Sequence, residues 1–226
     1  MERAADLEGA CGIGPELIQA LLQLGTATVY EAAGGRGAME AAIKPIAAWM
    51  RVAGPALTVQ CPPADNLMIH LAVALARPGD VLVVDAGGHT EAGYWGEILT
   101  VAAQAQGIVG LVIDGAVRDV EGIEARGFPV FARGISMRST NKSRPGQVNQ
   151  PVRVGGVWVH PGDIVVGDRD GVVVVRQGEA CRVRDAAMRR AELEQQILGR
   201  LARGELTIDI LGLRERLGGL GLLGDG

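Results

Sequence analysis

Residues 81–131 decide the fold of this chain, and they read VLVVDAGGHTEAGYWGEILTVAAQAQGIVGLVIDGAVRDVEGIEARGFPVF. Three short apolar runs at 81–85, 108–113 and 128–131 predict strands that are covered on both faces. Between them, residues 96–106 and 119–126 predict helices. This β-α-β-α-β order predicts a parallel sheet with right-handed crossovers.

The segment before this unit predicts a mixture of helix and strand. Helices are expected within 14–33, a strand over 51–61 and a helix over 66–76. Asp65 or Asn66 is expected to cap the last of these helices, because both residue types accept hydrogen bonds at helix starts.

The segment after the unit predicts an antiparallel portion and a terminal helix. Residues 152–159 and 164–175 predict strands joined by Gly, Pro and Asp turns. Residues 179–203 predict a long, charged amphipathic helix. Since no linker rich in Pro or Ser divides the chain, we expect one α/β domain over 1–226.

Composition excludes several classes of function. The 226 residues carry a net charge of −4, so no global basic field attracts nucleic acid. No apolar run approaches the ~18 residues that span a bilayer, so no membrane association is expected. The N-terminal hexapeptide, MERAAD, has no apolar signal region, and a cytoplasmic location is therefore expected.

Charged side chains follow two neighbouring strands of the predicted sheet. Glu97 begins the helix after the first strand, and Arg118 and Asp119 begin the helix after the second. Ligands of open α/β sheets bind beyond the carboxyl ends of the strands, so these three side chains are expected to meet in one cleft. The helix near Gly96 directs free backbone N–H groups at the same cleft, which suits a small carboxylate.

These residue types suggest a specific chemistry. The three histidines and three cysteines are scattered, so a zinc site would lack ligands, whereas carboxylates alone favour Mg²⁺ or Mn²⁺. A cation beside an arginine can stabilise the enolate of a 2-oxo acid. The alternative is structural, since acidic residues at helix starts are common caps and Arg-Asp neighbours are common surface ion pairs.

Three stretches resemble the RraA-like family: Ala86-Gly87-Gly88, Trp95-Gly96-Glu97-Ile98-Leu99 and residues 112–119, VIDGAVRD. The family includes class II 4-hydroxy-4-methyl-2-oxoglutarate / 4-carboxy-4-hydroxy-2-oxoadipate aldolases and proteins that inhibit ribonuclease E. The aldolase signature is an Asp, twenty residues and then Arg-Asp. Twenty residues also separate Glu97 from Arg118, although the first acid is Glu instead of Asp. Shorter matches lie at 54–56, 61–66, 161–163 and 167–171.

The resemblance implies a swivelling β/β/α fold that assembles as a homotrimer or a hexamer, with active sites between subunits. It implies that Asp119 binds Mg²⁺ or Mn²⁺ directly and that Glu97 acts through metal-bound water. Arg118 would bind the keto oxygen of pyruvate. Backbone amides in the stretch Gly96, Ile98 and Leu99 would bind its carboxylate. An acid from the neighbouring subunit's C-terminal helix would complete the site, and Glu194 matches best, with Glu192 second.

The implied reaction is retro-aldol cleavage of a 4-hydroxy-2-oxo acid to pyruvate and a second keto acid, with oxaloacetate decarboxylation as a side activity. An ordered or metal-bound water is the expected general base. A regulator that docks on a ribonuclease is the competing class, although a pure regulator has no need of Glu97, Arg118 and Asp119. Methyl transfer to a quinone precursor ranks last, because no glycine motif suits S-adenosylmethionine.

Overall fold

The computed structural model describes residues 12–222. The expectation placed on the N-terminal hexapeptide lies outside these residues. The elements, in chain order, are α1 (Pro15–Leu24), α2 (Thr26–Ala32), β1 (Lys44–Pro45), β2 (Val52–Gln60), α3 (Leu67–Leu75), β3 (Val81–Trp95), α4 (Glu97–Ala105), β4 (Gly110–Val117), α5 (Val120–Ala125), β5 (Val130–Ile135), β6 (Gln147–Val148), β7 (Val152–Val154), β8 (Val157–Val159), β9 (Ile164–Asp168), β10 (Gly171–Val175), α6 (Ala180–Ala202), α7 (Thr207–Ile210) and α8 (Arg214–Gly219).

One large sheet organises the molecule, with the strand order β1-β5-β4-β3-β2-β9-β10 and with β6 beside β2. Strands β2, β3, β4 and β5 pair in parallel, which confirms the predicted parallel unit. Strand β2 joins the two halves of the sheet. Its residues 52–55 pair with β9 in antiparallel fashion, and its residues 56–60 pair with β3. The expected antiparallel portion is thus the β9–β10 hairpin, with β7–β8 as a separate hairpin.

Strand β3 is much longer than the sequence predicts. It continues beyond Asp85 to Trp95, but its register against β4 shifts three times between these residues. Gly87 and Gly88 have φ values of 65° and 71°, a left-handed conformation that favours glycine. The glycine stretch therefore forms a bulged strand, and the bulge brings Trp95 beside the end of β4.

Two buried apolar clusters pack the sheet against the helices. The larger one surrounds the parallel strands, and the smaller one lies between the β9–β10 hairpin and helices α1, α2 and α6. Trp95 is fully buried and stacks on Phe128, with ring centroids 5.8 Å apart. Its Nε1 donates a hydrogen bond of 2.8 Å to Thr100 Oγ1. This contact fixes the end of β3 against α4, where the predicted site lies.

The predicted C-terminal helix is confirmed as α6, but only its first half is packed. Its buried residues are Ala180, Val183 and Ala187, whereas Leu193 and Leu198 are each 55% exposed. The short helices α7 and α8 follow it and were not predicted. No helix within residues 12–222 combines the length and the apolar character needed to cross a membrane.

Candidate active site

The ends of β3 and β4 are joined at the predicted site. The Arg118 backbone N–H donates a hydrogen bond of 2.8 Å to the Trp95 carbonyl. The next residue, Asp119, occupies the N-cap position of α5 with φ 56° and ψ 39°. A left-handed conformation is uncommon for a residue other than Gly, and Asp and Asn tolerate it best. The turn therefore sets the direction of the Asp119 side chain.

The Asp119 carboxylate lies against Gly96 at the start of α4. Its Oδ2 accepts a hydrogen bond of 3.3 Å from the Glu97 backbone N–H and lies 3.6 Å from Arg118 Nε. A Cβ atom at residue 96 would lie 2.4 Å from the same oxygen, so only glycine allows this approach. Within the described residues, Asp119 Oδ1 has no hydrogen-bond partner or ion-pair partner. One carboxylate oxygen therefore remains available for a ligand.

This donor set fits a hard divalent cation held by one protein carboxylate. Residues 12–222 contain no group of three or more His, Cys, Asp or Glu side chains that could hold a metal. Mg²⁺ commonly uses one or two carboxylates and completes its coordination with water and substrate oxygens. Asp119, which is 45% exposed in the cleft, matches that mode of binding.

Backbone donors face the same cleft from α4. The N–H groups of Ile98 and Leu99 lie in the first turn of this helix and have no acceptor within residues 12–222, as expected at a helix start. The cleft has a volume of about 120 Å³. Since pockets for drug-sized ligands occupy roughly 300–1,000 Å³, this cleft suits a small organic acid. Its lining comprises Asn66, His70, Gly93, Tyr94, Gly96, Ile98, Leu99, Arg118, Asp119, Ser139, Thr140 and Lys142.

Glu97 begins α4 as predicted, but its carboxylate is directed away from the cleft lining. Its Oε1 lies 2.9 Å from Arg126 Nε and 2.8 Å from Arg126 Nη2. The side chain passes over Gly122, where a Cβ atom would lie 2.8 Å from its carboxyl carbon. The role of Glu97 at a cation remains a prediction.

The predicted acids of the C-terminal helix also lie outside the cleft of their own chain. Glu194 pairs with Arg190 on the same helix at 2.9 Å, and Arg190 also pairs with Glu31 of α2. Glu192 lies on the same helix and is exposed. Their expected contribution to a neighbouring subunit's site remains a prediction.

Sequence reasoning missed several polar residues that line the cleft, including Asn66, His70 and Lys142. Asn66 and His70 lie at the start and within the first turn of α3, and Lys142 lies in the loop after β5. Of the two expected caps of α3, Asp65 takes the role, because its Oδ1 accepts a hydrogen bond of 3.0 Å from Leu67 N. The Asn66 side chain makes no cap hydrogen bond, and its Nδ2 donates to the Tyr94 carbonyl at 2.8 Å. The spacing of Asn66 and His70, four residues apart, could have indicated a shared helix face.

A buried carboxylate holds the loop that carries Lys142. Asp65 Oδ1 accepts a hydrogen bond from Leu67 N, and its Oδ2 accepts hydrogen bonds from Ser143 N at 2.8 Å and Arg144 N at 3.0 Å. Burial raises the pKa of Asp65, but these donors and the Ser143 hydroxyl outweigh it and lower the pKa from 3.8 to about 2. The ionised carboxylate thus fixes the loop beside α3.

Comparisons with known proteins identify the family of this chain. The RraA-like family model, described as Aldolase/RraA, matches residues 26–174, and the chain belongs to this family. Over 165 residues it is 38% identical to a Halalkalibacterium halodurans protein provisionally named a 4-hydroxy-4-methyl-2-oxoglutarate aldolase, with coverage of 73% of this chain and 79% of that protein.

Solved structures show the same fold. The structure of RraAS2 from Streptomyces coelicolor, described as an unusual member of the RNase ES inhibitor RraA family, matches with a TM-score of 0.76 and 30% identity. That match covers 83% of this chain and 98% of the other. An uncharacterized protein from Pseudomonas syringae pv. tomato matches with a TM-score of 0.77 and 29% identity, over 86% of this chain and 96% of that one. The expected α/β fold class is confirmed.

Proposed function

We propose that this protein is a divalent-metal-dependent class II aldolase that cleaves a 4-hydroxy-2-oxo acid to pyruvate and a second keto acid. The proposed substrates are 4-hydroxy-4-methyl-2-oxoglutarate and 4-carboxy-4-hydroxy-2-oxoadipate. One observation carries the proposal: Arg118 and Asp119 lie side by side at the end of β4, in one cleft with the unpaired N–H groups of Ile98 and Leu99. The name of the Halalkalibacterium relative supports it.

Each of these groups has a role in binding the pyruvate half of the substrate. Asp119 would hold Mg²⁺ or Mn²⁺, which when bound polarises the keto oxygen as a Lewis acid. The N–H groups of Ile98 and Leu99 bind the carboxylate, as helix starts commonly do. Arg118 donates to the keto oxygen and stabilises the negative charge that develops there.

The bond changes follow from this arrangement. The 4-hydroxyl proton passes to a base, for which we propose an ordered water, and the carbon–oxygen bond at C4 becomes a carbonyl. The C3–C4 bond breaks, and its electron pair forms the pyruvate enolate that Arg118 stabilises. A proton then adds to C3 to give the methyl group of pyruvate. Oxaloacetate decarboxylation forms the same enolate, so we expect it as a side activity.

The site is completed by a second subunit in this proposal. The protein would form a homotrimer or a hexamer, and Glu194, or Glu192 in its place, would reach the neighbouring Asp119. The exposed second half of α6 supports this, because Leu193 and Leu198 lack a covering surface within residues 12–222. A ring of heterologous contacts would supply such a surface.

The direct test is pyruvate release from the purified protein. It is incubated with 4-hydroxy-4-methyl-2-oxoglutarate or oxaloacetate, with Mg²⁺, without Mg²⁺ and with excess chelator, and pyruvate is measured by reduction to lactate. We expect release from both substrates only when the cation is present. Absence of release under all conditions, or full release in chelator, would contradict the proposal.

A regulatory function is the second candidate, and the structural similarity to RraAS2 favours it. In that case the chain would act by docking on a ribonuclease, without need of Asp119. One variant distinguishes the two functions. An aldolase loses pyruvate release in Asp119→Asn, whereas a regulator retains inhibition of ribonuclease E in the same variant.

A further inference from the structure

The side chain of Glu97 begins beside Asp119 but ends on the other side of α5. Its backbone N–H donates to Asp119 Oδ2 at 3.3 Å, so the side chain starts next to that carboxylate. Its Oε1 nevertheless lies 2.9 Å from Arg126 Nε and 2.8 Å from Arg126 Nη2. Asp119 lines the cleft, whereas Glu97 does not. A second carboxylate is therefore placed close to the candidate cation ligand and held away from it.

Arg126 forms a fixed anchor for this outer position. It is the C-cap residue of α5, and its backbone N–H donates to the Gly122 carbonyl. Its own carbonyl accepts a hydrogen bond of 3.0 Å from Gln104 Nε2 on α4. The guanidinium thus extends from a backbone that is bound to both helices, and it pairs with the acid that begins α4.

Gly122 supplies the space that the outer position needs. A Cβ atom at residue 122 would lie 2.8 Å from the carboxyl carbon of Glu97, and the three atoms nearest to it all belong to Glu97. Gly122 lies inside α5 and is not among the glycines with positive φ. Glycine destabilises a helix interior relative to alanine, so the local backbone gives no reason for it. The contact with Glu97 does.

The ion pair between Arg126 and Glu97 is weak enough to be exchanged. The two side chains are 40% and 44% exposed, and ion pairs open to solvent contribute little to stability. Neither side chain has another ion-pair partner within residues 12–222. Mg²⁺ commonly binds one or two carboxylates, so a cation at Asp119 competes with Arg126 for the Glu97 carboxylate.

Resting on the proposed function, we propose that Arg126 and Gly122 are positioning residues that hold Glu97 outside the cleft and thereby weaken binding of the cation at Asp119. Arg126 attracts the carboxylate outward, and Gly122 leaves room for it there. When Glu97 turns inward, it adds a second negative charge beside Asp119. Two residues that do not line the cleft thus set its affinity for the cation.

A double-mutant cycle of Mn²⁺ binding tests this assignment. Electron paramagnetic resonance of free Mn²⁺ gives the dissociation constant without substrate for the wild type, Arg126→Met and Gly122→Ala, each with and without Glu97→Gln. Arg126→Met removes the competing cation, whereas Gly122→Ala displaces the carboxylate and changes no charge. The Glu97→Gln background separates the contribution of Glu97 from the general effect of removing a positive charge.

We expect Arg126→Met and Gly122→Ala each to tighten Mn²⁺ binding about 2- to 5-fold, the factor that corresponds to an exposed ion pair. In the Glu97→Gln background, Gly122→Ala should have no effect and Arg126→Met a smaller one. Arg182→Met is the matched control, because Arg182 pairs with Glu179 at 3.0 Å, is 58% exposed and does not line the cleft. The control should leave the Mn²⁺ affinity unchanged.

Two results would overturn the assignment: an unchanged or weaker Mn²⁺ affinity in either single variant, or a gain in affinity that persists in full after Glu97→Gln. Absence of Mn²⁺ binding by the wild type would contradict the proposed metal-dependent function, and the assignment would fail with it. If the wild type binds Mn²⁺ and releases pyruvate but the cycle shows no coupling to Glu97, the assignment alone fails.

Discussion

Gly96 and Asp119 are in contact across the ends of two strands, and the contact depends on the absence of a side chain at residue 96. A Cβ atom there would lie 2.4 Å from Asp119 Oδ2 and 3.2 Å from Arg118 Cγ. Gly96 has an extended backbone, with φ −153°, so its own conformation does not require glycine. The requirement comes from the carboxylate beside it.

Gly96→Ala should therefore impair the site without unfolding the protein. The half-exposed Asp119 side chain can move aside, so the clash displaces the carboxylate instead of the backbone. Since misplacement by about 1 Å can cost roughly 10²-fold in rate, we expect a loss of that order in pyruvate release. Gly218→Ala, with open space around its Cβ, is the control. Wild-type activity in Gly96→Ala at an unchanged melting temperature would contradict this account.

Asp119→Asn should abolish the response to Mg²⁺ and leave the fold intact. Asn tolerates the left-handed conformation at this position and has the same shape, but it lacks the negative charge that binds a hard cation. We expect no pyruvate release by the variant and no binding of Mn²⁺ in titration calorimetry. If the variant bound Mn²⁺ as the wild type does, Asp119 would not be the ligand.

Arg118→Ala should lower kcat more than it raises KM. A donor that stabilises charge only as it develops typically contributes on the order of 10²–10³ in kcat. Arg118→Lys should restore little, since an ammonium lacks the planar arrangement of donors. Steady-state kinetics with oxaloacetate measures both constants. If Arg118→Ala exchanged the protons of pyruvate at the wild-type rate, Arg118 would not stabilise the enolate and would be only one half of a surface ion pair.

A shared site predicts recovery of activity on subunit mixing. Asp119→Asn and Glu194→Gln are each expected to be inactive, but some interfaces of a mixed ring join an intact Asp119 to an intact Glu194. We expect co-refolded subunits to regain pyruvate release. Glu192→Gln, from the same helix, tests the second choice of acid. An active monomer by light scattering, or mixed oligomers without recovery, would exclude the shared site.

Asp65→Asn should destabilise the protein at neutral pH and much less in acid. The NH₂ group of the amide would face a backbone N–H donor and could not accept its hydrogen bond. We expect the free energy of unfolding to fall by about 2 kcal/mol, as for lost hydrogen bonds to a charged group. The pKa of Asp65 is lowered in the folded state, from 3.8 to about 2, so its stabilisation is present above pH 3.8 and is lost as the pH falls toward 2.

Urea unfolding of the wild type and the variant at pH 7 and pH 2.5 measures this difference. We expect the gap in the free energy of unfolding between the two proteins to narrow at the lower pH. A gap that stays constant would mean that the Asp65 charge does not hold the loop.

The fold was largely predictable because strands that are buried on both faces appear in the sequence as short apolar runs. Apolar runs at 81–85 and 108–113 predicted two strands of the parallel unit, and Glu97, Arg118 and Asp119 were expected to meet beyond their ends. Arg118 and Asp119 line the cleft, whereas the Glu97 carboxylate pairs with Arg126. Strand β3 is longer than predicted, because glycines with positive φ let a strand continue through a bulge.

The sequence by itself determined the parallel unit, the C-terminal helix and the position of Arg118 and Asp119 beside the start of α4, because each depends on periodicity or on the ends of adjacent strands. Only the tertiary structure decided which way Glu97 points and that Asn66, His70 and Lys142 join the cleft. The physical reason is distance along the chain: the hydrogen bond from Ser143 to Asp65 joins residues 78 positions apart. Such a contact arises when elements that are distant in the chain pack together, and the local sequence pattern of neither element indicates it.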